Sequence, residues 1–317
     1  MTKVIIGIPT YNGYERVDWL LTSIWLRSNN EDRNILQDSK IVICDDSGKK
    51  KHQNLTRNVV DKWRQNGLPV ELIINERNLG VASSWNRLAR SGDSEQIVII
   101  NDDIIASGGW LESTVFLLDN NPRAGSCSQH CYFITREDIS SLLSGKDTIV
   151  TPRDPFKKTP TEVYNDTLEY PGRVMAPAGC FFGMRRSTFE KVGGFDEHYF
   201  SFYEESDFGT TLAANGYPTY ALSWPKNWHI WSQTFANAPE IHASKVMNNS
   251  RQYYIKKWNG HFDVTHPRYM SKIPFQKVRF KYKDQEYEKI IEGKEGEDGY
   301  YTNSEDKENA GKLTRIR

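Results

Sequence analysis

The first 125 residues alternate between two hydrophobic patterns. Short runs rich in apolar residues, typical of buried strands, lie within residues 3–9, 40–46, 70–75 and 96–101. Apolar positions at helical spacing follow each run, over residues 16–28, 52–67, 80–92 and 109–122. The repeated order of strand and helix predicts an α/β fold with a mostly parallel, Rossmann-like central sheet and helices on both faces.

The pattern becomes less regular after residue 125. Residues 136–172 are polar and rich in proline, which predicts a mobile loop. Further elements are predicted as a strand over 173–186, a short helix over 187–194, a helix over 202–218, a strand with an aromatic-rich loop over 219–235 and a helix over 236–260. The charged stretch 286–317 has few apolar anchors, and no structure is predicted for it.

A polar cluster follows each of the first four predicted strands. The clusters are Thr10 to Asn12, Asp45 to Gly48, Asn78 to Gly80 and Asn101 to Asp103. The carboxyl ends of parallel strands share one edge of an open sheet, where ligands bind, so we expect these clusters to meet. Adjacent carboxylates repel unless a cation or water neutralises them, and hard oxygen ligands suit Mg²⁺ or Mn²⁺ whose shell is completed by substrate phosphates. Neither GxxxxGK[ST] nor GxGxxG occurs in the sequence.

Composition and charge limit the classes of function that this sequence can have. The 317 residues contain 41 Lys plus Arg and 41 Asp plus Glu, so no global basic field for nucleic acid is present. The segment CSQHC at 127–131 lacks a second ligand pair, which argues against a zinc site. No stretch reaches transmembrane length and the N-terminus has no cleavage-site pattern, so we expect a cytoplasmic location.

Several motifs occur in an order that is known from one enzyme family. IPTYNG, CDDSG, NLGVASSWN, NDD, GCFFGMRRSTFEKVGGFDE and FYEESDFGTTLAANGYPTYAL follow one another between residue 3 and about residue 235. This arrangement resembles the family 2 glycosyltransferases of the GT-A fold, of the non-processive, rhamnosyltransferase-like kind. The resemblance implies a catalytic domain over 1–235, with a nucleotide-sugar half (1–125) and an acceptor half (126–235). Residues 236–317 would form a C-terminal extension that is helical at first and then irregular.

The resemblance also implies roles for individual residues. Donor contacts would come from Pro9, Thr10, Tyr11, Asn12, Asp45, Asp46, Asn78, Gly80, Asn86 and Asp102. NDD stands where the family has its DXD motif, which makes Asp103 and the late His229 metal ligands for Mn²⁺ or Mg²⁺. EESD aligns with the family's EDxD, which makes Glu205 the general base and leaves Glu204 as a rival. Trp85 stands where the family often has Arg, a departure that suggests an unusual nucleotide or sugar.

The implied activity is metal-dependent and inverting. One sugar would move from a nucleoside-diphosphate sugar, with UDP- or dTDP-sugars favoured, to a hydroxyl of a cell-surface glycan or a lipid-linked precursor. The QxxRW motif of processive relatives does not occur in the sequence.

Other readings of the sequence remain open. Basic and aromatic residues alternate over 268–283, which fits an edge strand with solvated lysines, a membrane surface or a nucleic acid. A hydroxylated modified base in phage DNA is therefore an alternative acceptor. A non-catalytic sugar-nucleotide binding module and a nucleotidyltransferase are alternatives from other classes. The retained EESD argues against the first, and the poor fit of PTYNGYER to a Gly-rich basic loop argues against the second.

Overall fold

The computed structural model describes residues 2–144, 172–174, 176–230, 242–258, 278–282, 285–289 and 314–315.

The amino-terminal half follows the predicted alternation. Its strands are β1 (Thr2–Thr10), β2 (Lys40–Asp45), β3 (Val70–Ile74), β4 (Ser94–Ile100) and the short β5 (Ile104–Ile105). Its helices are α1 (Tyr14–Arg27), α2 (Asn30–Gln37), α3 (Lys50–Gln65), α4 (Val81–Ala89) and α5 (Trp110–Asn120).

The second half has longer connections. Its strands are β6 (Ser126–Phe133), β7 (Gly172–Val174), β8 (Phe181–Arg185) and β9 (Thr219–His229). Its helices are α6 (Arg136–Leu143), α7 (Arg186–Val192), α8 (Glu204–Ala214) and α9 (Ala243–Trp258). Strands β10 (Val278–Tyr282), β11 (Gln285–Lys289) and β12 (Thr314–Arg315) form a separate antiparallel sheet.

The described strands β1 to β9 form one central sheet in the order β3-β2-β1-β4-β8-β6-β9-β5, with β7 also paired to β9. Strands β3, β2, β1 and β4 are parallel to one another. Strand β8 is antiparallel to β4 and β6, and β9 is parallel to β6 but antiparallel to β5. The carboxyl ends of β1, β2 and β4 therefore lie at one edge of the sheet, as predicted.

Two hydrophobic cores cover the two faces of the sheet. Val4, Ile6 and Ile8 of β1 pack with α1, α3 and α5, whereas Ile5 packs with α4, α7, α8 and α9. The side chains of a strand alternate between faces, so a fully apolar strand is what two covered faces require. Gly7 lets α4 approach closely, because a Cβ there would lie 2.8 Å from the Cβ of Leu88. The predicted fold class is confirmed.

Three local predictions were incomplete or wrong. Helix α2 and strand β6 were not expected, because both segments are mainly polar. Residues 136–143 form helix α6 instead of the start of a loop. Its capping box, in which Thr135 and Asp138 each bind the other's backbone, is a helix signal within the polar stretch. Residues 145–171 lie outside the described residues.

The carboxyl-terminal predictions are only partly covered. The predicted helix over 236–260 is present as α9, and within 268–283 the described part is strand β10, which pairs only with β11 among the described strands. No helix in the described part of the chain combines the length and apolar character needed to cross a membrane.

Candidate active site

A cavity of about 460 Å³ opens at the carboxyl edge of the parallel strands. Eleven of the predicted site residues line it: Pro9, Thr10, Tyr11, Asp46, Asn78, Gly80, Asp102, Asp103, Glu204, Glu205 and His229. We refer to this cavity as the cleft. It brings together the ends of β1, β2, β4 and β9 and the start of α8, as the strand-end argument predicted for the first three.

Asp102 is held by an arginine that sequence analysis missed. Arg16 of α1 forms two parallel contacts with it, from Nε to Oδ1 and from Nη2 to Oδ2, each 3.0 Å long, and Thr10 Oγ1 donates to Oδ2 at 2.6 Å. Burial acts to lower the pKa of the Arg16 guanidinium, but Asp102 outweighs it and the pKa is raised. A signal existed in the sequence, since Arg16 lies one helical turn before Leu20 on the apolar stripe of α1.

Gly13 makes this ion pair possible. A Cβ at residue 13 would lie 2.1 Å from Asp102 Oδ2 and 2.4 Å from Arg16 Nη2. The glycine of TYNG is therefore required by the close approach of the carboxylate.

Asp103 is paired with His229, although 126 residues separate them in the sequence. The register of β5 on β9 places Ile104 opposite His229, and the Ile230 amide donates to the Asp103 carbonyl at 2.9 Å. As a result, His229 Nε2 lies 3.1 Å from Asp103 Oδ1. Burial would lower the pKa of His229, yet the adjacent Asp103 and Cys180 raise it well above its usual value.

We tested whether these residues fit a divalent cation. Within the described residues, no group of three or more His, Cys, Asp or Glu side chains is arranged to hold a metal. Asp103 and His229 nevertheless offer an oxygen and a nitrogen ligand at the cleft. Mg²⁺ is commonly held by one or two carboxylates plus substrate phosphates, so this pair fits a cation whose shell the substrate completes.

Asp46 holds the loop between β3 and α4. Its carboxylate accepts hydrogen bonds from Asn75 Nδ2 at 2.6 Å, the Leu79 amide at 2.8 Å and the Gly80 amide at 2.9 Å. Gly80 has a φ of 89°, and a Cβ there would lie 2.5 Å from the Phe200 carbonyl oxygen. Both observations explain why this loop requires glycine where it lines the cleft.

Three of the residues predicted to contact the donor do not line the cleft. Asp45 accepts from the Thr56 hydroxyl at 2.5 Å and from the Ser47 amide at 2.9 Å, which fixes the turn into α3. Asn86 clamps the backbone of Phe195, donating to its carbonyl at 2.8 Å and accepting from its amide at 3.0 Å. Asn12 lines a different cavity. This geometry gives no support to donor contacts by these three residues.

The acids at the start of α8 differ in environment. Glu204 is buried, and its Oε2 has no hydrogen-bond partner among the described residues. Burial and the charge of Glu205 raise the pKa of Glu204 well above its usual value, and burial also raises that of Glu205. Phe202 and Tyr203, at φ values of 64° and 68°, precede the helix in the left-handed region. Strain of this kind is concentrated at functional sites.

Asp207, the last acid of EESD, has a structural role. It accepts from Trp258 Nε1 at 2.7 Å and Lys257 Nζ at 2.9 Å, and so ties the end of α9 to α8.

The cleft also contains residues that sequence analysis did not assign to the site. Trp85 lines it with its Nε1 buried and without a partner among the described residues, and Cys180 and Phe202 are further lining residues. Cys127 and Cys131 of CSQHC are buried in the sheet. For Cys180 and Phe202, no local pattern distinguishes a cleft residue from a core residue.

Comparisons with known proteins agree with this architecture. The model of glycosyl transferase family 2 matches residues 5–193, and the chain belongs to this family. It is a glycosyltransferase, as predicted. The N-acetylglucosaminyl-diphospho-decaprenol L-rhamnosyltransferase of Mycobacterium tuberculosis, from two strains, is 27% identical over 213 residues, which cover 60% of this chain and 68% of the relative.

Solved structures are similar in fold. The structure of GalNAc-T7 with UDP, GalNAc and Mn²⁺ aligns with a TM-score of 0.57 and 17% identity, over 88% of this chain and 60% of that protein. The mannosyltransferase PcManGT from Pyrobaculum calidifontis, in complex with GDP-Man and Mn²⁺, aligns with a TM-score of 0.48 and 16% identity, over 83% of this chain and 76% of that one. The GT-A fold, predicted from the motifs, is confirmed.

Proposed function

We propose that this glycosyltransferase moves one sugar from a nucleoside-diphosphate sugar to an acceptor hydroxyl, with a divalent cation and with inversion at the anomeric carbon. The observation that carries the proposal is that a single cleft contains both the Asp103–His229 pair and the Glu204–Glu205 pair. A volume of about 460 Å³ lies within the range of small-molecule sites, about 300–1,000 Å³.

The donor and acceptor classes are supported by the similar proteins. The Mycobacterium tuberculosis relative is named for transfer of L-rhamnose to a lipid-linked diphosphate sugar. The GalNAc-T7 structure contains UDP and Mn²⁺. We therefore favour a UDP- or dTDP-sugar as donor and a glycan or lipid-linked precursor as acceptor. Pro9, Thr10, Tyr11 and the Asn78–Gly80 loop would surround the nucleotide.

Asp103 and His229 would hold the cation. A bound Mn²⁺ or Mg²⁺ supplies charge stabilisation for the departing diphosphate. Asp103 raises the pKa of His229 well above its usual value, against the effect of burial. Arg16 neutralises Asp102 without a metal ion. Asp103 is therefore the carboxylate of the NDD motif that is available to bind a cation.

Glu205 would accept the proton of the acceptor hydroxyl. Two adjacent buried carboxyls do not readily ionise together, and Glu204 is the more deeply buried of the two. Glu204 would therefore keep a proton and Glu205 would be available as the base. A hydroxyl activated by Glu205 would attack the anomeric carbon opposite the departing diphosphate, which inverts its configuration in one displacement.

The first experiment identifies the donor and the reaction. Nucleoside-diphosphate sugars are screened with Mn²⁺ by thermal shift, and a true donor at a hundredfold excess over its Kd stabilises the protein by about 2.7 kcal/mol. The product released with acceptor is then identified. Nucleoside diphosphate supports the proposal, and pyrophosphate would indicate a nucleotidyltransferase instead. The anomeric configuration of the glycoside, read by NMR, tests inversion.

The second experiment tests the base. Glu205→Gln should lower kcat by about 10²- to 10⁴-fold, the usual contribution of a general base, while the Kd for donor stays unchanged. Glu204→Gln is the matched control, with the same chemical change one residue away and a much smaller loss. Full activity of Glu205→Gln, or a larger loss in Glu204→Gln, would contradict the assignment.

A further inference from the structure

Two of the four cysteines meet at the wall of the cleft. Cys180 is half-buried and lines the cleft, whereas Cys131 of β6 is buried, and both are free thiols. Cys180 packs against the hydrophobic cluster that contains Cys131, and the two thiols are close enough to share a hydrogen bond. We refer to Cys131 and Cys180 as the thiol pair.

The thiol pair is brought together by the pairing of β6 with β8. These strands are antiparallel, and Ser128 lies opposite Phe182. Cys131 follows Ser128 by three positions. Cys180 precedes Phe182 by two positions, so the two cysteines stand at neighbouring positions across the strands. Neighbouring strands lie about 4.7–4.9 Å apart, which is within the Cα separation of about 4.4–6.8 Å that a disulfide bridges.

An irregularity in β6 explains why the two thiols can face each other. The register of β6 on β9 shifts between Gln129 and Cys131. A bulge of this kind re-aims the side chains beside it. Cys131 can therefore point to the side of the sheet on which Cys180 lies, although the two positions differ by one residue in the register of β6 on β8.

The other two cysteines differ from the thiol pair. Cys44 and Cys127 are both fully buried and do not line the cleft. The Cys127 thiol donates to the Thr114 carbonyl at 3.8 Å, and Cys44 lies beside Ser84. Neither has a second thiol as a hydrogen-bonding neighbour within the described residues.

Cys180 is also joined to groups on both walls of the cleft. Its carbonyl accepts from the amide of Asn101, the first residue of NDD, at 2.9 Å. Its thiol shares a hydrogen bond with His229. A Cβ on the preceding Gly179 would lie 3.4 Å from Glu205 Cγ, so the chain beside Cys180 packs closely against the glutamate. A covalent change at Cys180 therefore affects the surroundings of both pairs of acids.

We propose that the thiol pair is a site of reversible oxidation by hydrogen peroxide, and that the resulting Cys131–Cys180 disulfide lowers transfer activity. Cys180 Sγ, the more accessible sulfur, attacks one peroxide oxygen. The O–O bond breaks, and a sulfenic acid and one water form. Cys131 Sγ then attacks Cys180 Sγ, the S–O bond breaks and a second water leaves. Two thiols are thus oxidised to one disulfide, and one peroxide is reduced to two waters.

The first measurement identifies the oxidised cysteines by mass spectrometry. The folded protein is freed of reductant and treated with hydrogen peroxide. The remaining thiols are then blocked with N-ethylmaleimide in denaturant, and peptides are mapped without reduction. We expect a linked pair of peptides that contains Cys131 and Cys180 and that disappears after treatment with dithiothreitol. Cys44 and Cys127 should carry N-ethylmaleimide.

Cys131→Ala separates the two chemical steps. Without Cys131 the sulfenic acid of Cys180 has no thiol to react with, and it should be captured by dimedone. Cys127→Ala is the matched control, with the same change in the same strand, and it should form the disulfide as the wild type does. Circular dichroism checks that both variants fold, and the wild-type peptide map tests the disulfide without either of them.

The second measurement is the effect of oxidation on turnover, and it rests on the proposed function. Transfer from the donor identified by thermal shift should fall by about 10²-fold in the wild type and in Cys127→Ala, because a displacement of about 1 Å near the reacting groups can cost that much. Dithiothreitol should restore it. Absence of transfer in the reduced protein would count against the proposed function and not against the disulfide, which the peptide map reports by itself.

Three results would overturn the proposal. The first is the absence of the linked peptides at a peroxide dose that oxidises the exposed Met247 to its sulfoxide. The second is a disulfide that joins Cys131 or Cys180 to one of the other two cysteines. The third is formation of the Cys131–Cys180 disulfide with unchanged turnover, because the thiol pair would then have no effect on the cleft.

Discussion

The cleft contains two pairs of adjacent carboxyl groups, and the two pairs differ in their partners. Asp102 and Asp103 each have a cationic partner, Arg16 at 3.0 Å and His229 at 3.1 Å. Glu204 and Glu205 form no ion pair within the described residues, and burial raises the pKa of both. The same arrangement of neighbours in the sequence thus produces carboxyls with cationic partners at one wall of the cleft and carboxyls without such partners at the other.

This difference between the aspartate pair and the glutamate pair shows how one small cavity can support two kinds of chemistry. Carboxylates that are kept ionised suit the binding of a cation, whereas a carboxyl with a raised pKa suits proton transfer. Pairs of titratable groups whose pKa values are pushed apart by their environments are the usual sign that the two groups have different roles in an active site. Arg16→Met and His229→Gln each remove the partner of one carboxyl, and Glu204→Gln replaces a carboxyl itself.

The largest effect on stability is expected from Arg16→Met, which leaves Asp102 buried without its cation. Breaking a buried pair from one side costs about 3–5 kcal/mol. The free energy of unfolding, measured by urea denaturation, should fall by that amount. Lys40→Gln serves as the control, since the exposed Lys40–Glu71 pair should contribute about 0.2–1 kcal/mol. Equal losses in the two variants would contradict the structural role given to Arg16.

A smaller loss in the free energy of unfolding, about 1–3 kcal/mol, is expected from His229→Gln, because Asp103 loses its partner. Burial would raise the pKa of Asp103, but His229 lowers it, so this contribution exists above the unfolded carboxyl pKa and is lost as the pH falls through the folded value. The raised pKa of His229 gives the opposite limit, since its contribution is lost as the pH rises through the folded value. The difference in stability should therefore be largest between these limits. A difference that does not vary with pH would contradict the pairing.

The smallest effect on the free energy of unfolding is expected from Glu204→Gln, which should stabilise the protein instead of destabilising it. Because the folded pKa of Glu204 is raised, the unfolded chain releases this proton first and the folded protein loses stability as the pH rises from the usual carboxyl pKa to the folded value. Glutamine removes that loss. Urea midpoints at about pH 5 and about pH 8 should differ less in the variant than in the wild type. An unchanged pH dependence would show that Glu204 is ionised in the folded protein.

The regular part of the fold could be predicted because its patterns are local. Strands β1 to β4 contain short runs rich in apolar residues, and the helices α1, α3, α4 and α5 have apolar stripes. Helix α2 could not be found in this way, since most of its residues are polar and Asp32 and Leu36 are the buried residues in it. Asp32 stabilises this region by accepting from the Gly109, Leu111 and Glu112 amides, contacts that join it to the start of α5.

The candidate site was likewise predicted in part from local patterns and in part not. Polar clusters at strand ends predicted where the cleft lies, because parallel strands place their carboxyl ends together. The Asp103–His229 contact depends on the register between β5 and β9, which no local pattern contains, and the resemblance to a family suggested it instead. Asn86 shows that a polar residue within a family motif can have a structural contact, since it clamps the backbone of Phe195.

The most direct test of the two roles is a crystal structure of Glu205→Gln with Mn²⁺ and the donor identified by thermal shift. We expect an anomalous manganese peak within bonding distance of the Asp103 carboxylate and His229 Nε2, with the donor diphosphate on its open side and the residue at position 205 facing the anomeric carbon. A peak elsewhere, with Asp103 and His229 still in direct contact with each other, would contradict the account.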